Sequence, residues 1–367
     1  MQKRKALNDY YENPGLVLPE NIQEGEVKWK SPSNIALVKY WGKYGTQLPK
    51  NASLSMCLSE SFTETSIQYQ VAKGKPQREF YFEGKANEAF AKRIWKFIDS
   101  LDSIYPYLNQ LDLRIYTHNS FPHSAGIASS ASAMAALALC LVDMERTFFS
   151  CPKKEDDFFH KASYLARLGS GSASRSVYGG YAIWGDAKSI QENTDNKFAV
   201  PFSGKVDATF ENLSDAILIV DNGQKEVSSS LGHSLMEGHP YGDDRLAQAD
   251  RHMKVLAQAM VEGDKEAFIK VVEAEALSLH ALMMASDPWF ILMKPETLKI
   301  LQLIKNYRSQ TRHFLCFTLD AGPNVHLIYG KKDELEVVQF IEKELKPLCH
   351  QHQIIYDSMG KGPEKLI

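Results

Sequence analysis

What this 367-residue sequence lacks narrows its reading quickly. Its 5 cysteines (Cys57, Cys140, Cys151, Cys316 and Cys349) are odd in number and scattered, with no CxxC pair. That argues against a disulfide framework or a thiolate zinc site and fits a reducing compartment. Neither sign of charge is in excess: 42 Lys and Arg against 45 Asp and Glu leave a net charge of -3. No bulk field therefore draws nucleic acid or an anionic membrane, and an anionic ligand must be met by locally placed cations. The longest apolar run, Ala133 to Val142, is too short to span a bilayer, and "MQKRKALNDYYENPG" lacks the apolar core of a signal peptide. These absences predict a cytoplasmic location. The 11 histidines form no HExxH, and neither GxSxG nor GxxxxGK[ST] occurs. The chain therefore carries no signature of a zinc protease, an α/β-hydrolase or a P-loop enzyme. There is also no internal repeat and no low-complexity block.

What is present suits two moderate domains, since 44% apolar residues suffice for buried cores. In the first, "EGEVKWKSPSNIALVKYWGK" predicts a short strand, a Ser/Pro/Asn turn and an apolar stretch holding Lys39. "TSIQYQV", "REFYFEG" and "DLRIYTHNSFP" alternate like half-buried strands, and "DDFFHKASYLARLGS" reads as a helix. A second domain opens near residue 205, before the compact strand "DAILIVD". Beyond it, Phe268, Val271, Val272, Leu279 and Leu282 share one helical face, and "HFLCFTLDAGPNVHLIYG" reads as two strands joined by a tight turn. The Met- and aromatic-rich "ALMMASDPWFILMKP" is expected to be core and inter-domain packing.

Four stretches could carry chemistry. "FPHSAGIASSASAMAALALCL" predicts a helix starting between Ser129 and Ser132, and its composition fits both a phosphate cradle and the start of a packed core helix. In "GSGSASRS" (169–176), Arg175 argues against a mere linker, because a guanidinium fork suits carboxylate or phosphate. Asp320, at a strand end in "TLDAGPN", is equally placed to face a cleft or to serve the turn. Lys39 either snorkels to solvent or is paired inside a site. His280 and His326 sit among apolar residues as satisfied core or wall histidines.

"SPSNIALVKYWGK", "NASLSMCLS", "FPHSAGIASSAS", "ARLGSGSASRS" and "TLDAGPNVH" occur in an order that resembles the mevalonate diphosphate decarboxylases, members of the GHMP small-molecule kinase superfamily. The likeness runs from about Ser31 to the C-terminus. It implies an α+β, two-domain fold: a ribosomal-protein-S5-like ATP-binding domain over 1–205, with a polar arm over 1–25, and a ferredoxin-like domain over 206–367. The active site is then expected in the cleft between them.

By the same resemblance, Ser124, Gly126, Ser129, Ser130 and Ser132 lie near the triphosphate of ATP, which favours the cradle reading. Asp320 matches the catalytic aspartate acting on the substrate's 3-hydroxyl, and Lys39 the lysine beside it. Tyr40 and Ser170 fall at the substrate's phosphate end, and Arg175 matches the arginine on its carboxylate, with Asn34 and Ser172 close by. The implied reaction uses ATP and Mg²⁺, without a protein metal site, to convert (R)-5-diphosphomevalonate to isopentenyl diphosphate, ADP, phosphate and carbon dioxide. A homodimer is the family-level expectation. His123 and Ser174 stand where many relatives have threonine and cysteine. The family's additional phosphate-binding arginine has no counterpart in "FEGKANEAFAKRIWKF", where Lys85, Lys92 and Arg93 are the candidate substitutes. The rival readings are a kinase or decarboxylase acting on mevalonate or 5-phosphomevalonate, and a silent ligand-binding relative.

Overall fold

The computed structural model describes residues 11–13, 15–122, 129–223 and 229–367. Its first sheet is built on two long strands, β1 (Gly25–Val38) and β2 (Ser53–Val71). The other strands of that sheet are β3 (Arg78–Phe82), β4 (Lys85–Ala86), β5 (Leu111–Asn119), β6 (Tyr181–Trp184) and β7 (Ala199–Pro201). Together with the late strand β12 (Glu364–Lys365) they run in the order β12-β1-β2-β5-β3-β4, with β6 on the start of β2 and β7 on β6. Helix α1 (Glu88–Asp99) flanks β3, and α2 (Ser129–Phe149) and α3 (Glu155–Gly169) cover the sheet. Almost every α2 residue from Ala131 to Glu145 is buried, as expected of a helix apolar on all faces. Its alanines at 131, 135, 136 and 138 leave room for close approach of the strands.

The second sheet has the order β9-β10-β8-β11, all antiparallel, from β8 (Leu213–Leu218), β9 (Leu315–Leu319), β10 (Val325–Gly330) and β11 (Ile354–Ser358). A short helix at Ser229–Ser234 and three long ones, α4 (Gly242–Glu262), α5 (Lys265–Met284) and α6 (Pro295–Thr311), lie between β8 and β9, and another short helix at Glu334–Phe340 lies between β10 and β11. The apolar face expected on α5 is buried throughout. The two halves share one apolar core, in which Ile35, Leu37, Leu54 and Met56 meet Met253, Leu256, Phe268 and Val272. Core packing of this kind holds β1 and α5 in a fixed relation.

Two expectations need correction. The turn expected at Ser31–Asn34 is absent: β1 runs straight through, with a bulge between Pro32 and Asn34 that absorbs the missing proline N–H. The stretch Ala281–Pro295 is only partly core. Leu282, Met283 and Leu292 pack with Trp41, but Trp289 and Ile291 are exposed, at 66% and 57%. Apolar composition alone could not separate the packed side of this segment from its solvent side. No helix among the described residues is long and apolar enough to cross a membrane.

The second half is also tied to the first through polar atoms. Asp357 on β11 accepts the backbone N–H groups of Ser59 and Glu60 on Oδ1, at 2.8 and 2.9 Å, and that of Ser61 on Oδ2, at 2.8 Å. Its side chain is nearly buried, so removing it strands amide donors that water reaches poorly. Asp357→Ala is expected to destabilise the protein by about 2–4 kcal/mol, seen as a lower Tm in a thermal melt.

Candidate active site

The site forms where the ends of β1, α3 and β9 converge. β1 delivers Asn34 along the strand and Lys39 and Tyr40 just past its end. The Gly/Ser stretch after α3 folds as a 3₁₀ turn over Gly171–Arg175, and Asp320 follows β9 directly. Both readings left open for Lys39 and Asp320 then close. Lys39 Nζ lies 2.9 Å from Asp320 Oδ1, with the lysine side chain buried and the carboxylate about one third exposed. The lysine is thus the buried partner of a partly exposed carboxylate. His280 on α5 secures the turn from beneath, its Nε2 lying 3.1 Å from the Asp320 carbonyl oxygen. Burial, outweighing the help of the Asp320 carbonyl, pushes the His280 pKa down to about 4. The ring is therefore neutral near pH 7, so Nε2–H donates that bond.

Arg175 is built into the opposite wall. It is 3% exposed, its Nε donating to Asn34 Oδ1 at 3.3 Å and its Nη1 to Ser53 Oγ. Asn34 is oriented in turn by donating to the Ser172 carbonyl at 3.2 Å and to Ser176 Oγ at 2.7 Å. The guanidinium carbon lies 5.7 and 5.9 Å from the ring centres of Tyr40 and Trp184, within cation–π range. Burial lowers the Arg175 pKa to about 10, against the pull of Tyr40 and Asp320, so the cation persists at neutral pH. Burial likewise raises the Tyr40 hydroxyl to about 12, so it remains an uncharged donor. Arg175 Nη2 has no protein partner among the described residues. One arm of a buried cation is thereby available to an anion.

Two close approaches shape this wall. Tyr40 stacks on His233, ring centres 4.5 Å apart, and meets the edge of Trp184 at 4.8 Å. A side chain at Gly171 would place Cβ 2.8 Å from both Tyr40 Oη and Trp184 Cη2, so glycine is required there by space. At Gly169 the obstruction is the flexible end of Met134.

The serine-rich stretch joins the site at the start of α2. Ser130 Oγ is 3.3 Å from Ser170 Oγ, itself 3.5 Å from Ser172 Oγ, so hydroxyls from two separate segments form one row. Ser129 and Ser130 also line a cavity of about 100 Å³ walled by Phe80, Phe82, Phe90, Arg93 and Ile94. Of the cations considered as substitutes for the unaligned arginine, Arg93 lines this cavity. Ser124 and Gly126 lie outside the described residues. Ser132 does not share the cleft: it is fully buried, its Oγ 2.7 Å from Thr63 Oγ1. It stands about 200° around the helix from Ser130, on the side that packs against β2.

Sequence reading missed Ser53, Trp184, His233 and the aromatic cavity wall, each distant in the chain and typical of core composition. It also missed the charges behind Lys39. The Lys39 N–H donates to Glu275 Oε2 at 2.8 Å, and Glu275 is paired with Arg245 and His252, each at 2.6 Å. Burial tends to raise the Glu275 pKa, but the bonds from His252, Arg245 and the Lys39 amide outweigh it and hold the group below the usual glutamate value.

Comparison with known proteins bears on this geometry. The model of the diphosphomevalonate decarboxylase-like N-terminal domain matches residues 31–196, and that of the mevalonate 5-diphosphate decarboxylase C-terminal domain matches residues 216–365. The diphosphomevalonate decarboxylase of Saccharomyces cerevisiae is 30% identical over 330 residues, 85% of this chain and 80% of the yeast protein. The chain belongs to the diphosphomevalonate decarboxylase family. The mevalonate diphosphate decarboxylase of Staphylococcus aureus has the same mixed α+β two-domain fold, with a TM-score of 0.80 and 28% identity over 94% of this chain and 99% of that one. A further family structure, of MDDEF in complex with MVAPP, AMPPCP and magnesium, gives a TM-score of 0.79 at 26% identity over 94% of this chain and 99% of that chain.

Two outcomes are expected. Gly171→Ala should displace Tyr40 and lower kcat/KM at least about tenfold, whereas Gly169→Ala, which only has to move the end of Met134, should stay within about twofold; steady-state kinetics separates them. The depressed pKa of His280 means the unfolded chain binds more protons below its ordinary value of about 6.5. The stability this group contributes is present above pH 6.5 and is lost as pH falls towards 4, so Tm should drop across that window less steeply in His280→Gln than in the wild type.

Proposed function

We propose that this chain carries out the ATP-dependent decarboxylation of (R)-5-diphosphomevalonate to isopentenyl diphosphate in the mevalonate pathway of isoprenoid biosynthesis. The observation that carries the reading is the pairing of Lys39 with Asp320 in a cleft that also contains the buried cation of Arg175. A plain kinase needs the first pair but has no evident use for a guanidinium on a substrate carboxylate.

In this reading Arg175 holds the carboxylate with its unengaged arm, fixed by Asn34, Ser53 and the two aromatic rings. Asp320, paired to Lys39, accepts the 3-hydroxyl of the substrate and orients it toward the γ-phosphoryl group. Positioning and charge stabilisation carry most of such a transfer, which turns a poor leaving group into a good one. Loss of phosphate then builds positive charge at C3, and the breaking bond to the carboxylate supplies its electrons as carbon dioxide leaves. Tyr40 and Ser170 serve the phosphate end of the substrate.

Ser129 and Ser130, which line the cavity at the start of α2, support a triphosphate there, and the aromatic wall of that cavity suits the nucleotide's base. Among the described residues no three carboxylate, histidine or thiol side chains converge. Mg²⁺ would be carried on the nucleotide phosphates, with the Ser129 and Ser130 hydroxyls at the start of α2 as the residues that would hold it. When bound it neutralises phosphate charge. The order β8, helices, β9, β10, helix, β11, with β9-β10-β8-β11 in the sheet, supports a ferredoxin-like second domain over 206–367. The nucleotide-binding domain is then 1–205.

The test offers mevalonate, 5-phosphomevalonate and 5-diphosphomevalonate separately with ATP and Mg²⁺, following ADP and carbon dioxide. Equimolar products from the diphosphate alone are expected. ADP without carbon dioxide would make the chain a kinase, and no product from any of the three would overturn the enzyme reading. In the same assay, Asp320→Asn should lower kcat by about 10²–10⁴-fold. Arg175→Gln should raise the KM for the carboxylate-bearing substrate by about ten- to a hundredfold and leave ATP affinity nearly unchanged.

A further inference from the structure

β1 ends at Val38, whose partner Leu54 is the last in its register, so the peptide groups on either side of the Lys39 Cα have left the sheet. Buried polar groups of the backbone need partners, and here all but one come from the other half of the chain. The Lys39 N–H donates to Glu275 Oε2 at 2.8 Å. The Lys39 carbonyl accepts from Arg245 Nη2 at 2.8 Å and from Asn51 Nδ2 at 3.0 Å. Arg245, on α4, clasps the same Glu275, on α5, with Nη1 at 2.7 Å from Oε1 and Nη2 at 2.6 Å from Oε2. His252, ten residues from Tyr-flanked Gly242 along α4, adds a contact of 2.6 Å to Glu275 Oε1. Glu275 is 0% exposed and Arg245 3%.

A buried ion pair of this kind rarely stabilises a fold more than apolar residues of the same size would, because desolvation of the two charges offsets their attraction. Its place in the molecule suggests another task. Both backbone handles of Lys39 end on it, and the Lys39 ammonium is the group paired with Asp320. We propose that Glu275 and Arg245 are positioning residues that aim Lys39 at Asp320, with His252 steadying the glutamate. The pair fixes the backbone from which the lysine reaches, so rotation of that peptide would carry the ammonium away from the carboxylate. Neither residue touches substrate; both act through Lys39. The proposal rests on the reading of Lys39 and Asp320 as the catalytic pair.

The test is a double-mutant cycle. Glu275→Gln keeps an oxygen for the Lys39 N–H but removes the charge that holds Arg245. Arg245→Lys is the second variant, which keeps the charge and loses the fork. Each is made in the wild type and in Lys39→Ala, with kcat, both KM values and Tm measured for all. In the wild type, Glu275→Gln is expected to lower kcat by about ten- to a hundredfold with the KM for ATP within about twofold, the size of effect that a small misplacement of a catalytic group produces. In Lys39→Ala the same change should cost less than about twofold more, because there is no ammonium left to aim. Equal losses in both backgrounds, or losses that follow Tm alone, would overturn the proposal and leave the pair as a structural staple. If Glu275→Gln fails to fold, Arg245→Lys decides by the same comparison. Full activity in Lys39→Ala by itself would instead overturn the catalytic reading of Lys39, so the two failures are told apart.

Discussion

The ion pair between Lys39 and Asp320 is the interaction on which the rest of the site depends, because it can form only if two separate sheets meet in one relation. Lys39 belongs to the end of the first sheet and Asp320 to the first turn after a strand of the second. Nothing near either residue in sequence brings it to the other. Their separation of 2.9 Å follows from the apolar core shared by β1, β2, α4 and α5, which leaves the halves little freedom to slide.

Around that pair the site divides by physical task. The Arg175 wall is rigid and dry: a buried guanidinium, two aromatic rings and an asparagine held at both ends of its amide. The serine row is polar and more open, built from one-donor hydroxyls that adapt to the oxygens they meet. In the proposed reading a carboxylate must be held in one orientation while a triphosphate must arrive and leave, and these are different demands. The protein answers them with different chemistry on neighbouring surfaces.

The parts legible in sequence were those encoded locally. Strand alternation in "TSIQYQV" and "REFYFEG", the helix from Ser129 and the buried face of α5 all express periodicities of the chain itself. Asp320 was visible as a carboxylate at a strand end, but only the fold could choose between a turn and a cleft. The bulge at Pro32 was read as a turn, because the local chemistry of Ser-Pro-Ser-Asn is the same in both. Glu275, Arg245 and His252 carried no signal. Glu275 and Arg245 answer to a backbone more than 200 residues away, His252 answers only to Glu275, and charged residues on a helix ordinarily read as its solvent face. Ser132 shows the converse: it shares the motif's composition, yet its position around the helix turns it toward Thr63.

One feature of the fold bears on how the molecule can be divided. β12 pairs Lys365 with Trp29 and Glu364 with Lys30, and Asp357 supplies acceptors to three successive amides of β2. The first sheet is thus finished by a strand that follows the whole of the second sheet. A fragment ending near residue 205 would expose the β1 edge at Trp29 and Lys30, along with the apolar faces that α4 and α5 cover. Such an edge is a template for pairing with other copies. The two halves are therefore separate in architecture but not in folding, because the edge of the first sheet is closed by a strand that follows the whole of the second.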